Sequence, residues 1–600
     1  MQRQKREKRK KRIEEREERE RRKREEEEER EKGEKREIRN VDESILCVMK
    51  KVVILTVLVM ATVMASAQMR NDAQMRAIAI EQLQLSTGSV SLARQSQAYS
   101  LFTGEKGGFV VVSRDAAMPQ VLGFSSSSVD PANLPDGLQW WLDAVAARAA
   151  AGETAATTTS ALAEEIPNFM PSQWGQSVPY NMFCPTMSGK RTLTGCVATA
   201  LGQALYLYRY PSAPVGTNIF YINNAGPYYD DFATSYNWAA MKDYYTPNIA
   251  NDDAKSVAEL LRDCGYATGM NYSTGGSEAF CYKQAVALTS NFSYPTANIR
   301  YATRKFYSND EWMYIIYREL KGHRPVLYTG LEAQEYNADG SEKFREGHSF
   351  VFSGMDADGR LYVNWGWNGM ADGFFDFSDL APAGIQNHAE TYHFNYEQEM
   401  VYGITPDASP SPMALKYSDF GTKRPVYYLE LTGTNLYLDV DFINYYYLPF
   451  SGSFDIIFDS AGDQGFKTTI IDTSSIGVIS TLSGFHITTA INIGGLSAGV
   501  YRVFIASKST DDTHYQPLRC EGGPIYFELT KSASGSMTIS EAKSMDYRDY
   551  TSSGISVPVM ASDKEVQGIY TLGGQRVSSS AQRGICIVRQ GGKVKKILNK

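Results

Sequence analysis

Apolar positions are spread unevenly along the chain, and changes in their spacing divide it. Residues 1–46 are almost wholly Arg, Lys and Glu. With no apolar face to bury, such a run is expected to be disordered or a solvated single helix. Met49-Lys50-Lys51 then leads into an apolar run at residues 52–64, closed by Ala65-Ser66-Ala67. A basic start, an apolar middle and an A-x-A end follow the order of a secretory signal peptide. The run is also shorter than the ~18 residues that cross a bilayer as a helix. Cleavage after Ala67 is expected, with Met49 as the true start, residues 49–67 as the signal and residues 1–48 as a charged, non-native extension. Further on, Gly108-Phe109-Val110-Val111-Val112-Ser113 and Leu122-Gly123-Phe124 read as strands and residues 138–148 as an amphipathic helix. Residues 149–163 are rich in Ala and Thr without a periodic apolar face, which predicts an exposed linker. Ala200, Ala204, Leu205 and Tyr208 form a helical face that stops before Pro211. His348-Ser349-Phe350-Val351-Phe352 alternates as a strand, and Arg360-Leu361-Tyr362-Val363-Asn364 makes a second. From about 407 to 545, short runs of Val, Ile, Tyr and Thr alternate with Gly, Ser and Asp turns, the spacing of a β-sandwich.

A length of 600 residues with 43% hydrophobic side chains supports several cores. The net charge of −7 supplies no basic field, so nucleic acid is not expected as a partner. The seven cysteines include no C-x-x-C pair and no zinc-type Cys/His spacing, and they are sparse for a disulfide framework. No metal or cofactor is expected, and all thiols but one are read as buried and inert.

The exception is Cys196. In Thr194-Gly195-Cys196-Val197-Ala198-Thr199-Ala200 it falls in the first turn of a helix. Unpaired N–H groups and the positive end of the helix dipole there stabilise a thiolate below the free value of ~8.5. Taken alone, a small residue packing a helix end is the plainer reading. A thiolate nucleophile also needs a base, and there are six histidines. His323 lies in a turn, His388 and His393 in a polar stretch, and His486 and His514 in the C-terminal β region. His348 stands beside Gly347 at the head of an alternating strand. A hairpin centred near Asp356 brings Asn364 opposite His348, where its amide could hold the imidazole. A tight Asp358-Gly359 turn puts Gly369 there instead, so both registers stay open.

At these residues a resemblance becomes specific. Trp174-Gly175-Gln176, Pro179-Tyr180-Asn181, Cys184-Pro185, the block around Cys196 and Tyr210-Pro211 resemble the nucleophile region of the streptopain family of cysteine peptidases. Gly347-His348-Ser349-Phe350-Val351, Val363-Asn364-Trp365-Gly366-Trp367 and Asp372-Gly373-Phe374-Phe375 resemble its histidine region. Residues 108–113 and 121–141 are similar to its inhibitory pro-domain. The resemblance covers roughly residues 75–405 and implies an α+β chain. A papain-like two-subdomain unit (166–406) would follow an α+β pro-domain (68–150) and a linker (151–165), with a β-sandwich (407–545) after it. It implies Cys196 as nucleophile, His348 as base and Gln176 as oxyanion donor. Asn364 and Trp365, similar to the family's Asn-Trp pair, would orient or shield the imidazole. Ser273, Thr274, Gly275, Gly276 and Ser277 would form a wall of the substrate pocket. It further implies protein substrates outside the cell, the pro-domain as intramolecular inhibitor, and a hydrophobic preference one position before the cleaved residue. Residues 329–345 depart from the family in being longer and more charged. Residues 560–600 resemble sorting domains of exported Bacteroidetes-type proteins, which implies a secretion machinery as partner and a secreted or cell-surface location. Two other functions compete: a non-catalytic adhesin, and a Cys-His acyltransferase or transglutaminase. The presence of both Cys196 and His348 speaks against the first, and the pro-domain resemblance against the second.

Overall fold

A computed structural model of the chain describes residues 69–86, 89–116, 118–150, 164–333, 347–377, 396–408, 416–417, 426–460, 466–511 and 515–546, with backbone strands within 568–599. The expected extension and signal, the linker at 151–163 and most of the charged stretch before His348 lie outside the described residues. Among the described residues, no helix is long and apolar enough to cross a membrane.

The first described helix, α1 (Asp72–Gln82), begins where Asn71 can close a capping box. The Asn71 side chain accepts from the Gln74 N–H and the Gln74 side chain from the Asn71 N–H, each at 2.9 Å. Four antiparallel strands follow: β1 (Val90–Gln95), β2 (Tyr99–Gly104), β3 (Phe109–Ser113) and β4 (Val121–Ser125). Their alternation serves two cores. Phe102, Val110 and Val112 face Met75 and Ala79 of α1, whereas Leu101, Phe109 and Val111 face the other way. On that second side lies α2 (Asp136–Ala150), which carries Leu138, Trp140, Trp141 and Leu142 into a core shared with later strands.

Next comes a helical layer around α3 (Cys196–Tyr208), in which every residue from Val197 to Tyr206 is buried. The helices α4 (Lys255–Thr268) and α5 (Tyr282–Ser290) pack with it. The sheet layer consists of β5 (Arg300–Thr303), β6 (Val326–Ala333), β7 (Gly347–Met355), β8 (Leu361–Asn364), β9 (Gly373–Phe375) and β10 (Tyr396–Tyr402). Its period-two pattern again separates two cores. Leu327, Val351 and Val401 join the helical layer, while Tyr328, Phe350, Phe352 and Met400 pack on the opposite face with α6 (Asn309–Lys321). Because β9 pairs with β4, one ten-stranded sheet runs β1-β2-β3-β4-β9-β8-β7-β6-β10-β5. The N-terminal unit thus extends the sheet that carries His348.

Between residues 416 and 544, strands enclose a third core in two facing layers. Leu436, Leu438, Val440 and Phe442 of the strand Asn435–Ile443 meet Phe454, Ile456 and Phe458 of Gly452–Ser460. This is sandwich packing, with every second residue turned inward. The sandwich is tied to the sheet layer by a buried ion pair: Arg519 donates to both Glu311 carboxylate oxygens, at 2.6 and 2.8 Å. The Arg519 guanidinium also lies 4.0 Å from the centre of the Tyr307 ring. The chain is therefore α+β: a papain-like pair of layers preceded by a small α+β unit and followed by a β-sandwich. At the C-terminal end, the backbone strands Gly568–Thr571, Arg576–Val577, Gly584–Gln590 and Lys593–Asn599 form a four-stranded sheet of their own.

Candidate active site

Gly195 turns the chain into α3 with φ +85°, a conformation that L side chains rarely adopt. A Cβ there would also stand 2.7 Å from Met270 Cε and 2.8 Å from the Ser277 carbonyl oxygen. The turn delivers Cys196 as the first residue of α3. Burial pushes the Cys196 thiol up, but the charge and hydrogen bond of His348 and the Ser349 and Val197 N–H groups outweigh it, and the net shift is downward. His348 is 4% exposed at the start of β7. Burial pushes its imidazole down, yet the charge and hydrogen bond of Cys196, then Asp136 and the Trp365 carbonyl, carry the net shift upward. Each partner thus favours the charged form of the other, so the thiol and imidazole titrate as a coupled pair.

The residues expected to orient the imidazole divide. Trp365 does so through its backbone: its carbonyl lies 3.2 Å from His348 Nε2. Its own N–H donates to Asp372 Oδ1 at 2.9 Å, its indole N–H to the Ala371 carbonyl at 3.1 Å, and its ring is fully buried. Asn364 is a correction. The β7–β8 register pairs Asn364 with Val351, not with His348, and slips by a residue between Phe352 and Met355. The Asn364 amide donates to the Ser172 carbonyl at 2.7 Å and to Gln203 Oε1 at 3.0 Å, and its oxygen accepts from the Gly366 N–H at 3.0 Å. It shapes the turn that aims the Trp365 carbonyl, and none of these hydrogen bonds goes to the ring.

A cavity of ≈ 850 Å³ opens over the pair. Gln176 lines it, held to the chain before Cys196 by the Thr194 N–H, which donates to the Gln176 carbonyl at 3.1 Å. Ser273, Gly275, Gly276 and Ser277 also line it, whereas Thr274 is not part of the lining. The Ser277 hydroxyl reaches the Leu193 carbonyl at 2.8 Å and accepts from the Ser273 N–H at 3.0 Å, which fixes the wall to the segment before α3. A Cβ at Gly275 or Gly276 would meet nothing within 4 Å, so the rim there is open.

Several residues of the site were not singled out from the sequence. Gln203, fully buried on the apolar helix α3, holds Asn364 and accepts from the Trp174 N–H at 3.3 Å. A lone amide on an otherwise apolar helix was the available signal. Asp372 is buried, its pKa pushed up to about 7 by burial and partly countered by the Trp365 N–H. From the N-terminal unit, Asp136 lines the cavity. Gly137 lies so close that a Cβ would stand 2.5 Å from the Trp365 ring and 2.7 Å from His348 Cδ2. Trp140 and Trp141 pin this helix, their indole N–H groups donating to the Leu331 carbonyl at 2.8 Å and the Asp376 carbonyl at 3.0 Å. No feature of spacing could have disclosed those contacts.

A cysteine at a helix N-terminus facing a histidine on a sheet, with the cavity between the two layers, is the papain-like arrangement. Residues 174–375 match the Peptidase C10 family, and residues 60–149 match the Spi protease inhibitor. Over 343 residues the chain is 31% identical to the thiol protease/hemagglutinin PrtT of Porphyromonas gingivalis, covering 53% of this chain and 38% of that protein. It is 28% identical to streptopain of Streptococcus pyogenes over 333 residues, 51% of this chain and 80% of streptopain. Among solved structures, a prointerpain A fragment from Prevotella intermedia is 30% identical with a TM-score of 0.44, covering 53% of this chain and 99% of the fragment. The alignment with PrtT thus spans well under half of that protein's length.

Proposed function

We propose that this chain is a secreted bacterial cysteine endopeptidase of the streptopain type, made as a zymogen. Residues 68–150 inhibit a catalytic unit at residues 166–406, and residues 560–600 address the protein to a secretion machinery. The observation that carries the reading is the coupled Cys196–His348 pair at the floor of an open cavity. In the reaction, Cys196 attacks the scissile carbonyl as thiolate and His348 protonates the departing amine. Water then enters, His348 takes its proton, and the acyl-enzyme is hydrolysed. The oxyanion is held by the Cys196 backbone N–H and the Gln176 side chain. Trp365 orients the imidazole through its carbonyl, and the wall at Ser273, Gly275, Gly276 and Ser277 receives the substrate backbone.

The test is casein hydrolysis by the processed protein, together with labelling by a thiol-directed epoxide and mass mapping of the adduct. The adduct is expected on Cys196, and Cys196→Ala is expected to abolish both hydrolysis and labelling. Because nucleophile and base act as a unit, His348→Ala should cost nearly as much as Cys196→Ala, and Gln176→Ala about 10²-fold in rate. Hydrolysis retained by purified Cys196→Ala refutes the reading.

A further inference from the structure

Among the described strands, β5 ends the order of the catalytic sheet, and a loop of the β-sandwich, residues 444–448, straddles it. Tyr446 and Tyr447 join the core of the helical layer, whereas Tyr445 packs with the core on the opposite face. The Tyr446 and Tyr447 hydroxyls donate to the Ile299 carbonyl at 2.6 and 3.3 Å. The buried Arg300 guanidinium donates to the Tyr446 hydroxyl at 3.1 Å. The loop itself is held from within the sandwich. Asn444 is fully buried and donates to the Leu448 and Ile479 carbonyls at 2.7 and 3.1 Å, while its side-chain oxygen accepts from the Tyr446 N–H at 3.0 Å.

One strand separates β5 from the substrate cavity. That strand is β10, which pairs with β5 and contributes Glu397 and Glu399 to the cavity lining. The register sets Thr303 opposite Glu399, and two residues on, in the 3₁₀ turn Arg304–Phe306, Lys305 lies 3.8 Å from Glu397. The sandwich grips this turn by main chain and side chain. The Gly522 N–H donates to the Lys305 carbonyl at 2.7 Å and Arg519 to the Phe306 carbonyl at 3.3 Å. The centre of the Tyr445 ring stands 5.1 Å from that of Phe306 and 5.5 Å from Lys305 Nζ. One ammonium therefore touches both a carboxylate of the cavity wall and an aromatic face of the sandwich, and it joins the two.

We propose that the sandwich is a lasting part of the peptidase, in which Tyr445 is a positioning residue: it fixes Lys305 and, through it, the Glu397 segment of the wall that receives substrate. The papain-like unit expected to end at residue 406 is closed on its far edge by residues that follow it. An uncovered edge strand invites pairing with other chains, and loss of the three tyrosines would expose β5 together with parts of both cores. The brace acts on substrate binding and not on the chemical step, because Cys196 and His348 stand on α3 and β7. The proposal rests on the peptidase reading above.

Two measurements on the full chain after its own processing test it. First, a recognition sequence for a specific protease is inserted between residues 408 and 416. After the cut, the sandwich should co-elute with the catalytic layers in gel filtration, with KM and kcat for a fluorogenic peptide unchanged. Second, Tyr445→Ala should raise KM about three- to tenfold, with kcat and epoxide labelling of Cys196 as in wild type. Tyr445→Phe, which keeps the ring, should retain the wild-type KM. Tyr445→Leu, which fills the space without an aromatic face, takes the place of Tyr445→Ala if that variant does not fold, with the same expected rise. A sandwich that separates after the cut overturns the proposal. So does a variant lacking the ring whose KM is unaltered, or one whose kcat and KM are impaired together, the mark of general loosening. A wild-type protein that shows neither labelling nor cleavage overturns the peptidase reading instead.

Discussion

Gly137→Ala isolates the contact that α2 makes with His348 and Trp365. The added Cβ would lie 2.5 Å from Trp365 Cε3, 2.7 Å from His348 Cδ2 and 2.9 Å from Trp365 Cζ3. Carbon atoms rest at ~3.5–4.0 Å, so a displacement of about 1 Å is needed. Trp365 cannot supply it. Its ring is fully buried, with its centre 4.8 Å from that of Phe350 and 5.2 Å from that of Phe375, and its N–H is bonded to Ala371. The shift must fall on α2, against the indole hydrogen bonds of Trp140 and Trp141. Overpacking of this kind costs ~1–3 kcal/mol, which weakens closure by about five- to hundredfold. The substitution does not harm the unit itself, because alanine in a helix is favoured over glycine by ~0.5–1 kcal/mol. The assay is the rate at which a small epoxide alkylates Cys196 in full-length protein before any cleavage appears. Alkylation should rise by about five- to hundredfold in Gly137→Ala. Equal rates in the two proteins, at equal thermal stability, would refute the idea that this helix guards the site.

Three further outcomes follow from the electrostatics. One coupling lowers the Cys196 pKa and raises that of His348. In His348→Gln the midpoint of Cys196 alkylation should move up to the ordinary thiol value of ~8.5 or beyond, and an unmoved midpoint would remove the coupling. Asp372 has a folded pKa raised to about 7, against ~3.9 unfolded. The native state therefore keeps a proton that the unfolded chain releases, and stability declines as pH rises between these values, by up to ~4 kcal/mol. Asp372→Asn, which can still accept from the Trp365 N–H, should flatten that decline in urea unfolding at pH 4.5 and 8, and an unchanged slope would show that the carboxyl is not the cause. Arg519→Ala leaves Glu311, 2% exposed at its side chain, buried without its cation, and should cost ~3–5 kcal/mol in the same measurement. A loss below about 1 kcal/mol would contradict the buried pairing.

The sequence disclosed what is local and periodic. The apolar face of α3, its glycine entry and the alternation around His348 follow from spacing alone, and they placed a thiol and an imidazole on different elements. Register was harder. Residues 351–355 and 361–364 alternate equally well in several alignments, and the observed one pairs Asn364 with Val351, three residues beyond His348 on β7. The amide therefore ended among Ser172 and Gln203 rather than against the histidine. The strand β10 gave little warning, since Glu397, Gln398, Glu399 and Met400 show polar groups on both faces. Buried Gln398 is instead explained by the Tyr328 hydroxyl, which donates to its side-chain oxygen at 2.5 Å. Contacts between distant segments were invisible: the Arg519–Glu311 pair spans 208 positions, and the Ser125 hydroxyl donates to the Asp372 carbonyl across 247.

In the zymogen proposed above, the shared sheet has a consequence once the N-terminal unit is cut away. While β4 is present, β9 is an inner strand, with Phe374 opposite Phe124 in a stacked pair 5.6 Å apart and Phe375 opposite Gly123. Departure of the N-terminal unit opens the hydrogen-bonding edge of β9 and wets two phenylalanines. An open edge of this kind is a template on which another chain can add a strand, and short length is the usual protection. At three residues, Gly373–Phe375 is short enough to limit that hazard in the finished enzyme. It offers no protection to a partly folded chain, whose neighbouring strands are still finding their register. In that reading, the N-terminal unit attached through this edge would also shield the sheet from aggregation while it assembles, and a precursor deprived of it should be lost to insolubility.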